Sequence, residues 1–597
     1  MDEIDPKQLL HRGDYREVLA RYETTPKNRV SRDWLIASIG SLSFLGRTHE
    51  AQLLFESSSS KFTKNEKVES LFFLTINFAR TQDLKTARTH LRAMKNLDQG
   101  LRGISKFYIV QAQAFLRHYR SQFRSSEILA RSAFKESVKA GFSYGRILSA
   151  DLLGHSLVQL DQIREGIKSL KDAAASAKTI ELEPIHQAIQ VSILLYESQF
   201  GLRAGSDAIL KLRALIRRLQ ISDSYTRINL YFELIRSLTL AGLYREAETE
   251  LQNVFELIYL FNNPRQETTF KLRYAELCLL RGRPHEALEK VLDAKRWSGL
   301  VANRQLRAQL LGLEYKIVGE LGFSETRLKL AEELRQLAHS FPTPLNLRIT
   351  KRLLKEESQI PVPSSDRIGT LLADLQASES VARIVESGCL SLLARRIELH
   401  PGQEALVWNL ERGSLTIFSS AEILHLPTLR SPQSRRILNT LSKGPVTKEA
   451  LVQNVWGYTY HPLKHDSLLY AAIAQCRKLL GSASHWIENR ENTYGLKSDV
   501  TTISLDTEGA TPLENSEPSI LQISNQPGLN HRQIHCLSRW GSSPFRSIKQ
   551  HQQELRVSRN TATRDLRQLE DLGFLRSLGR GPSRRYTRVA LGDKRPP

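Results

Sequence analysis

Two stretches forty residues apart decide the fold: GLYREA at residues 242–247 and GRPHEA at 282–287. Each sets a glycine ahead of Glu-Ala, and a helix-forming run follows. Glycine accepts the left-handed backbone that ends a helix, and a small residue one turn into the next helix lets two backbones approach. The same pattern, loosened, stands at GDYREV (Val18), GRTHEA (Ala51), TQDLKTA (Ala87), FRSSEI (Ile128), LDQIREG (Gly166), AGSDA (Ala208) and GFSETR (Arg327). With Ala247 and Ala287 in their places, successive intervals are 33, 36, 41, 38, 42, 39, 40 and 40. A recurrence near forty predicts stacked helical hairpins. Apolar residues three and four apart fit the same helices, as at Leu306, Leu310, Leu313 and Ile317.

The chain has 597 residues, too many for one hydrophobic core. Its 41% apolar and 25% charged residues are ordinary globular composition. No run of 18 uncharged apolar residues predicts a membrane span, and the acidic opening MDEIDPKQLL lacks a secretory core. Cys278, Cys389, Cys476 and Cys536 are too far apart for a zinc site or disulfide framework, which suits a reducing cytoplasm. The formal charge is +22, from 85 Lys+Arg against 63 Asp+Glu. Residues 529–597 hold 15 bases and 5 acids, whereas 500–528 hold four acids and no base. Such a concentrated excess points to a polyanionic partner at the C-terminal end.

The repeats over 1–356 resemble the tetratricopeptide family and its longer-period relatives, on the Gly-x-x-x-Glu-Ala cores at Gly46–Ala51, Gly242–Ala247 and Gly282–Ala287. The resemblance implies a superhelix whose concave surface takes a protein or peptide, or occasionally a small ligand. ESQIPVPSSD breaks the helices, and 357–394 reads as a helical connector.

Over 395–498 the period changes. RIELH, ALVWNL and SLTIF read as short strands. Helices follow at Pro432–Leu441, at Lys448–Trp456 behind a Thr447 cap, and at Asp466–Leu480, and HWIENRENTYGLK reads as a hairpin. This order resembles the OmpR-type winged-helix domain, on Lys448 to Gly457, on Ile473-x-x-Cys476-Arg477-Lys478-x-Leu480-Gly481 and on Tyr494. The family's wing reads Gly-x-Gly-Tyr where this chain has Glu491-Asn492-Thr493-Tyr494. The resemblance implies DNA contact through His465, Arg477, Lys478 and Arg490, and contact of the loop Tyr458–His465 with RNA polymerase.

Residues 499–528 read as an acidic flexible linker, 529–590 as a second module and 591–597 as a basic tail. HRQIHCLSRW and SIKQHQQELR read as helices, and Ser558 caps a third helix to Leu569 with Leu566, Leu569 and Leu572 as its apolar stripe. Phe574–Leu578 and Arg584–Arg588 form a two-stranded wing in this reading. Val-Ser-Arg-x-Thr-Ala-x-Arg-Asp-Leu-x-x-Leu-x-x-x-Gly from Val557 to Gly573 resembles the recognition helix of DeoR-like winged-helix regulators. Gly-x-Gly-x-x-x-x-Tyr from Gly579 to Tyr586 resembles the wing of Fic-associated proteins. The helix start presents Ser558, Arg559, Asn560, Thr561 and Thr563 to base edges and phosphates. Arg564 and Arg567 lie one turn on for the backbone, and wing residues Arg576, Arg580, Arg584, Arg585 and Arg588 reach phosphate or the minor groove.

No phosphate-binding Gly-x-x-x-x-Gly-Lys-Ser/Thr loop, HExxH or Gly-x-Ser-x-Gly is present, so neither enzyme, cofactor nor metal is expected. The sequence therefore reads as a mainly α bacterial transcription regulator of the cytoplasm. A helical-hairpin solenoid senses or docks a partner, or self-associates, and two α+β winged helices follow, at least the last on double-stranded DNA. The alternative is a scaffold or adaptor, in a toxin or phage-defence system, whose winged helices bind proteins.

Overall fold

A computed structural model describes residues 5–203, 205–218, 224–261, 263–298, 303–356, 361–375, 377, 380–409, 413–429, 431–505, 533, 536, 546–555, 557–572, 574–578 and 585–588. The chain divides into two compact units, Met1–Gly402 and Gln403–Pro597.

The first unit is a run of helical hairpins. They are α1 Pro6–Arg12 with α2 Tyr15–Thr24, α3 Arg32–Phe44 with α4 Thr48–Ser58, α5 Lys64–Arg80 with α6 Leu84–Asn96, α7 Ile104–Tyr119 with α8 Phe123–Lys139, and α9 Ser143–Gln159 with α10 Ile163–Thr179. The run continues through α11 Glu183–Gln199 with α12 Gly205–Arg218, α13 Ser224–Ala241 with α14 Tyr244–Phe261, α15 Pro264–Leu280 with α16 Pro284–Ser298, and α17 Arg304–Glu320 with α18 Ser324–Ser340. Then come α19 Pro344–Leu353 and the connector helices α20 Arg367–Ala373, α21 Ser380–Ser387 and α22 Ser391–Arg396. Odd-numbered helices pack on one another from α1 to α9 and again from α11 to α17 and form an inner layer, α10 joins the two runs by packing on α11, and each even-numbered helix packs on its own hairpin partner.

Every hairpin turns through one left-handed residue: Gly13, Gly46, Gln82, Ser121, Asp161, Gly201, Gly242, Gly282 and Gly322. Glycine meets this demand at six of the nine, as its lack of a Cβ allows. Five residues on, Val18, Ala51, Ala87, Ser126, Gly166, Ala247 and Ala287 are all buried. The FRSSEI repeat is therefore keyed on Ser126, not Ile128, which is exposed. The Ser126 hydroxyl donates to the Ala114 carbonyl at 2.9 Å across the hairpin, so a polar side chain is satisfied inside it. Arg327 breaks the small-residue rule because its position faces solvent; its guanidinium lies 4.8 Å above the Tyr315 ring.

The repeats curve until distant hairpins meet. His11 stacks on Tyr144 at 4.1 Å, Phe123 meets Phe341 at 5.9 Å, and the Arg367 N–H donates to the Phe200 carbonyl at 2.9 Å. Arg348 on α19 holds the turn residue Asp161, with Nη2 donating to Oδ1 at 2.9 Å, and approaches Asp366 at 3.6 Å. Its side chain is 3% exposed and that of Asp161 is 11% exposed, so these charges are paired away from water.

In the second unit, β1 Ala405–Asn409, β2 Ser414–Phe418, β3 Ile423–Leu426 and β7 Thr501–Ser504 form a sheet ordered β3-β2-β1-β7, with β7 parallel to β1. The linker reading thus gives way over Thr501–Ser504. RIELH is not a strand: the Leu399 N–H closes on the Ala394 carbonyl and Glu398 is left-handed, so the α22 helix end is capped there instead. Next come α23 Pro432–Leu441, β4 Val446–Thr447, α24 Lys448–Trp456, α25 Pro462–Leu480, β5 Ile487–Arg490 and β6 Thr493–Leu496, with sheet order β4-β6-β5. The helix read from Asp466 starts at Pro462, where proline suits a first turn. Glu491 and Asn492 both take positive φ in the β5–β6 turn, so this tight turn forms without glycine. Trp408, Leu451, Leu469, Cys476, Trp486 and Tyr494 are among the residues of this module's core.

The last elements are β8 Arg546–Ser547, α26 Ile548–Leu555, α27 Arg559–Asp571, β9 Leu575–Leu578 and β10 Arg585–Arg588, with sheet order β8-β10-β9. Cys536, Leu566, Leu569, Leu575 and Tyr586 are the buried core. Leu572 is exposed, so Ala562 replaces it in the apolar stripe of α27. Of HRQIHCLSRW only Gln533 and Cys536 lie within the described residues.

Gly166 tests the packing rule. A Cβ there would lie 2.7 Å from the Gly154 carbonyl oxygen and 2.6 Å from Val158. Gly166→Ala is expected to destabilise by about 1–3 kcal/mol through overpacking, although helix propensity alone favours alanine. Chemical denaturation reads the sign directly.

Candidate functional site

Two surfaces concentrate functional chemistry: the inner layer of the repeats and the arginine-bearing face of the last module.

On the inner layer, Arg80 and Arg265 lie over the Tyr225 ring at 5.8 and 6.0 Å, and Arg265 also lies over Tyr119 at 5.7 Å. The Arg265 guanidinium donates to the Tyr225 hydroxyl at 2.5 Å. Beside them, His118 Nδ1 meets the Ser156 hydroxyl at 3.2 Å, and His155 Nδ1 meets the Tyr196 hydroxyl at 2.7 Å. Burial, then the positive charges of His155 and Arg265, push the His118 pKa down to about 3. Burial also acts against charge on His155, but Tyr196 and the Asp151 carboxylate outweigh it and raise the pKa to about 10. Adjacent imidazoles are thus driven apart, one neutral and one charged.

In the last module, Ser558 caps α27, its hydroxyl accepting from the Thr561 N–H at 3.2 Å. Arg559, Asn560, Arg564 and Arg567 are exposed on this helix, while Ala562, Asp565, Leu566 and Leu569 are buried beneath it. Asp565 lies 3.9 Å from His551 Nε2 in the buried layer. Thr561 and Thr563 are half-buried, and their hydroxyls bond Ser558 and the Arg559 carbonyl. Arg576 on β9 and Arg585 on β10 are exposed. Among the described residues, Arg559, Arg564, Arg567, Arg576 and Arg585 have no ion-pair partner. Arg588 lies in β10, and Arg580 and Arg584 fall outside the described residues.

The candidate residues of the preceding module are arranged differently. His465 Nδ1 accepts from the His461 N–H at 2.9 Å and its ring stacks on Tyr458, so it caps α25. Arg477 donates to the Ile487 carbonyl at 2.8 Å, and Arg490 pairs with Glu488 at 2.6 Å. Only Lys478 among the four is exposed without a described partner. The outward face of α25 carries Lys464, Ser467, Tyr470, Ala471, Ala474, Gln475 and Lys478, a lysine at each end and uncharged groups between.

Sequence reasoning did not find Arg265, His118, His155 or Arg348. Each is an isolated letter within a helix, and its partner lies on another hairpin.

No family model matches this sequence, and no curated protein matches it. Among solved structures, the chain is similar to one described as a Rap protein complexed with competence and sporulation factor. The identity is 12%, the TM-score is 0.42, and the match covers 61% of this chain and 98% of that one. Among the described residues, no helix is long and apolar enough to cross a membrane.

A folded pKa below that of free imidazole means that neutral His118 favours the fold. Its contribution is complete above about pH 6.5 and is lost as pH falls toward 3. His118→Gln is therefore expected to flatten the loss of stability between pH 6.5 and 4, measured by urea denaturation at several pH values. Parallel curves for variant and wild type would reject this assignment.

Proposed function

We propose that this chain is a DNA-binding transcription regulator. The last module acts as a winged helix on double-stranded DNA, and the helical repeats receive the partner that controls it. The chain acts by binding, not by catalysis. One observation carries this reading: five exposed arginines without described carboxylate partners share one helix and its adjoining sheet. Surface cations are ordinarily interspersed with acids, and an unpaired set concentrated in so short a segment suits a polyanion. Asn560 at the start of α27 is the exposed uncharged group placed to meet base edges, with Arg564 and Arg567 holding the backbone.

The first winged helix takes a different part in this proposal. Its His465, Arg477 and Arg490 are drawn into local contacts, and between the exposed Lys464 and Lys478 α25 presents Tyr470, Ala471 and Ala474, with Leu463 at its start. Such a face suits a protein surface better than phosphate, with RNA polymerase as one candidate partner.

Fluorescence anisotropy with the full chain and duplex DNA, over a series of salt concentrations, tests the reading. Arg564→Glu with Arg567→Glu should weaken binding at least about tenfold on every sequence and flatten the salt slope by about two. Asn560→Ala should change sequence preference, and Lys478→Glu should leave affinity within about twofold. Salt-insensitive binding that ignores the arginine reversals would leave the scaffold alternative standing.

A further inference from the structure

After its nine hairpins the chain turns back onto them. α19 brings Arg348 to the turn of the fifth hairpin, where Nη2 donates to Asp161 at 2.9 Å and Nη1 donates to the Pro361 carbonyl at 3.3 Å. From Pro361 the connector meets the following hairpins in order. At the sixth turn, the Arg367 and Ile368 N–H groups donate to the Phe200 carbonyl at 2.9 and 3.4 Å. The Ile368 side chain covers Gly201 so closely that a Cβ on that glycine would lie 2.8 Å from it. At the start of α12, a Cβ on Gly205 would lie 3.2 Å from the Ser387 carbonyl oxygen. α22 then packs on α13, the helix that leads into the seventh turn. At the eighth turn Gly402 sits against Gly282, and a Cβ on Gly282 would lie 2.9 Å from the Gly402 Cα. Gly322, in the ninth turn, has the same left-handed backbone as Gly282, yet a Cβ there would meet nothing within 4 Å.

The connector's helices cannot hold themselves. α20, α21 and α22 are seven, eight and six residues long. An isolated helix in water needs about 12–15 residues to be even marginally stable. The order of these three therefore depends on the hairpins they touch. Those contacts fall on four different hairpins, so all of them register only at one spacing of the turns, which is one curvature of the repeats. In a solenoid the rotation between neighbouring repeats accumulates along the array. With the near end pinned by Arg348, a change of curvature displaces the far contact, Gly402 on Gly282, the most.

We propose that the connector from Pro361 to Gly402 is a strap that reads the curvature of hairpins five to eight and passes it to the second unit, which begins at Gln403. With the strap seated, Gly402 is fixed on the eighth turn and the segment leading into the second unit is held. A partner that alters the curvature parts the contacts from the eighth turn backward and frees that segment. The inference deepens the reading of the repeats as the part that receives a partner, and it rests on that reading. Its test contains no DNA and so fails separately from the DNA reading.

The test is hydrogen exchange of the full chain, followed by mass spectrometry. Ile368→Ala removes the anchor at the sixth turn. Exchange should rise at least about fivefold across residues 380–402 as well as beside the substitution, because the anchors share one register. Gly282→Ala and Gly322→Ala carry matching backbone strain, at φ 74° and 76°, but differ in what a Cβ meets. Only Gly282→Ala should speed exchange over 380–402, and α3 and α5 should keep wild-type protection in all three variants. A rise confined to the neighbours of Ile368, or equal behaviour of the two glycine variants over 380–402, would overturn the proposal.

Discussion

The pairing of Arg348 with Asp161 is the interaction on which the shape of the first unit depends. Stacked hairpins alone form a quasi-one-dimensional array, in which each repeat touches its neighbours and curvature is only loosely set. Here a side chain of α19 reaches a turn 187 residues earlier in the chain and buries an ion pair there. Burying charge is costly unless the pairing is close and hydrogen-bonded, so the contact is sensitive to register. The turn accommodates it by placing an aspartate where most other turns have glycine, at φ 71°. Aspartate is among the few residues that visit this conformation, and its carboxylate serves Arg348 there.

Closing the repeats in this way makes an interior of what would be an open groove. Arg80, Tyr119, Tyr225 and Arg265 meet only because hairpins four repeats apart are brought together. The connector closes on the same layer, where α22 packs against α13. The arginines of α27 and its sheet differ in kind, since they project from a small module whose described buried side chains are apolar apart from Gln533, His551 and Asp565. Cations thus fall into two groups with different physics. Arg348 is locked in a buried pair, whereas Arg564 and Arg567 face solvent.

Much of this was legible in the sequence because it is local. Hairpin turns are written as glycine followed by a small residue, and α23, α24 and the Ser558 cap fall where proline, threonine and serine predict them. The repeats without glycine were the hard ones. Gln82, Ser121 and Asp161 adopt the left-handed turn regardless, so the key residue of the fourth repeat was misplaced from Ser126 to Ile128. RIELH has the β-branched and apolar letters of a strand, but it lies where a helix must close its last carbonyls. For the candidate sites, the exposed arginines of α27 follow from helical periodicity alone. The inner-layer residues do not, because their partners lie on other hairpins, 38 to 187 residues away, and periodicity within one helix carries no sign of them.

The central claim is that one long-range ion pair fixes the curvature of the repeats. A double-mutant cycle with Asp161→Asn and Arg348→Met, read by urea denaturation of the full chain, tests it most directly. The account predicts a coupling energy of about 2 kcal/mol or more, since each single change strands a buried charge or its partner. Additivity within about 0.5 kcal/mol would contradict it.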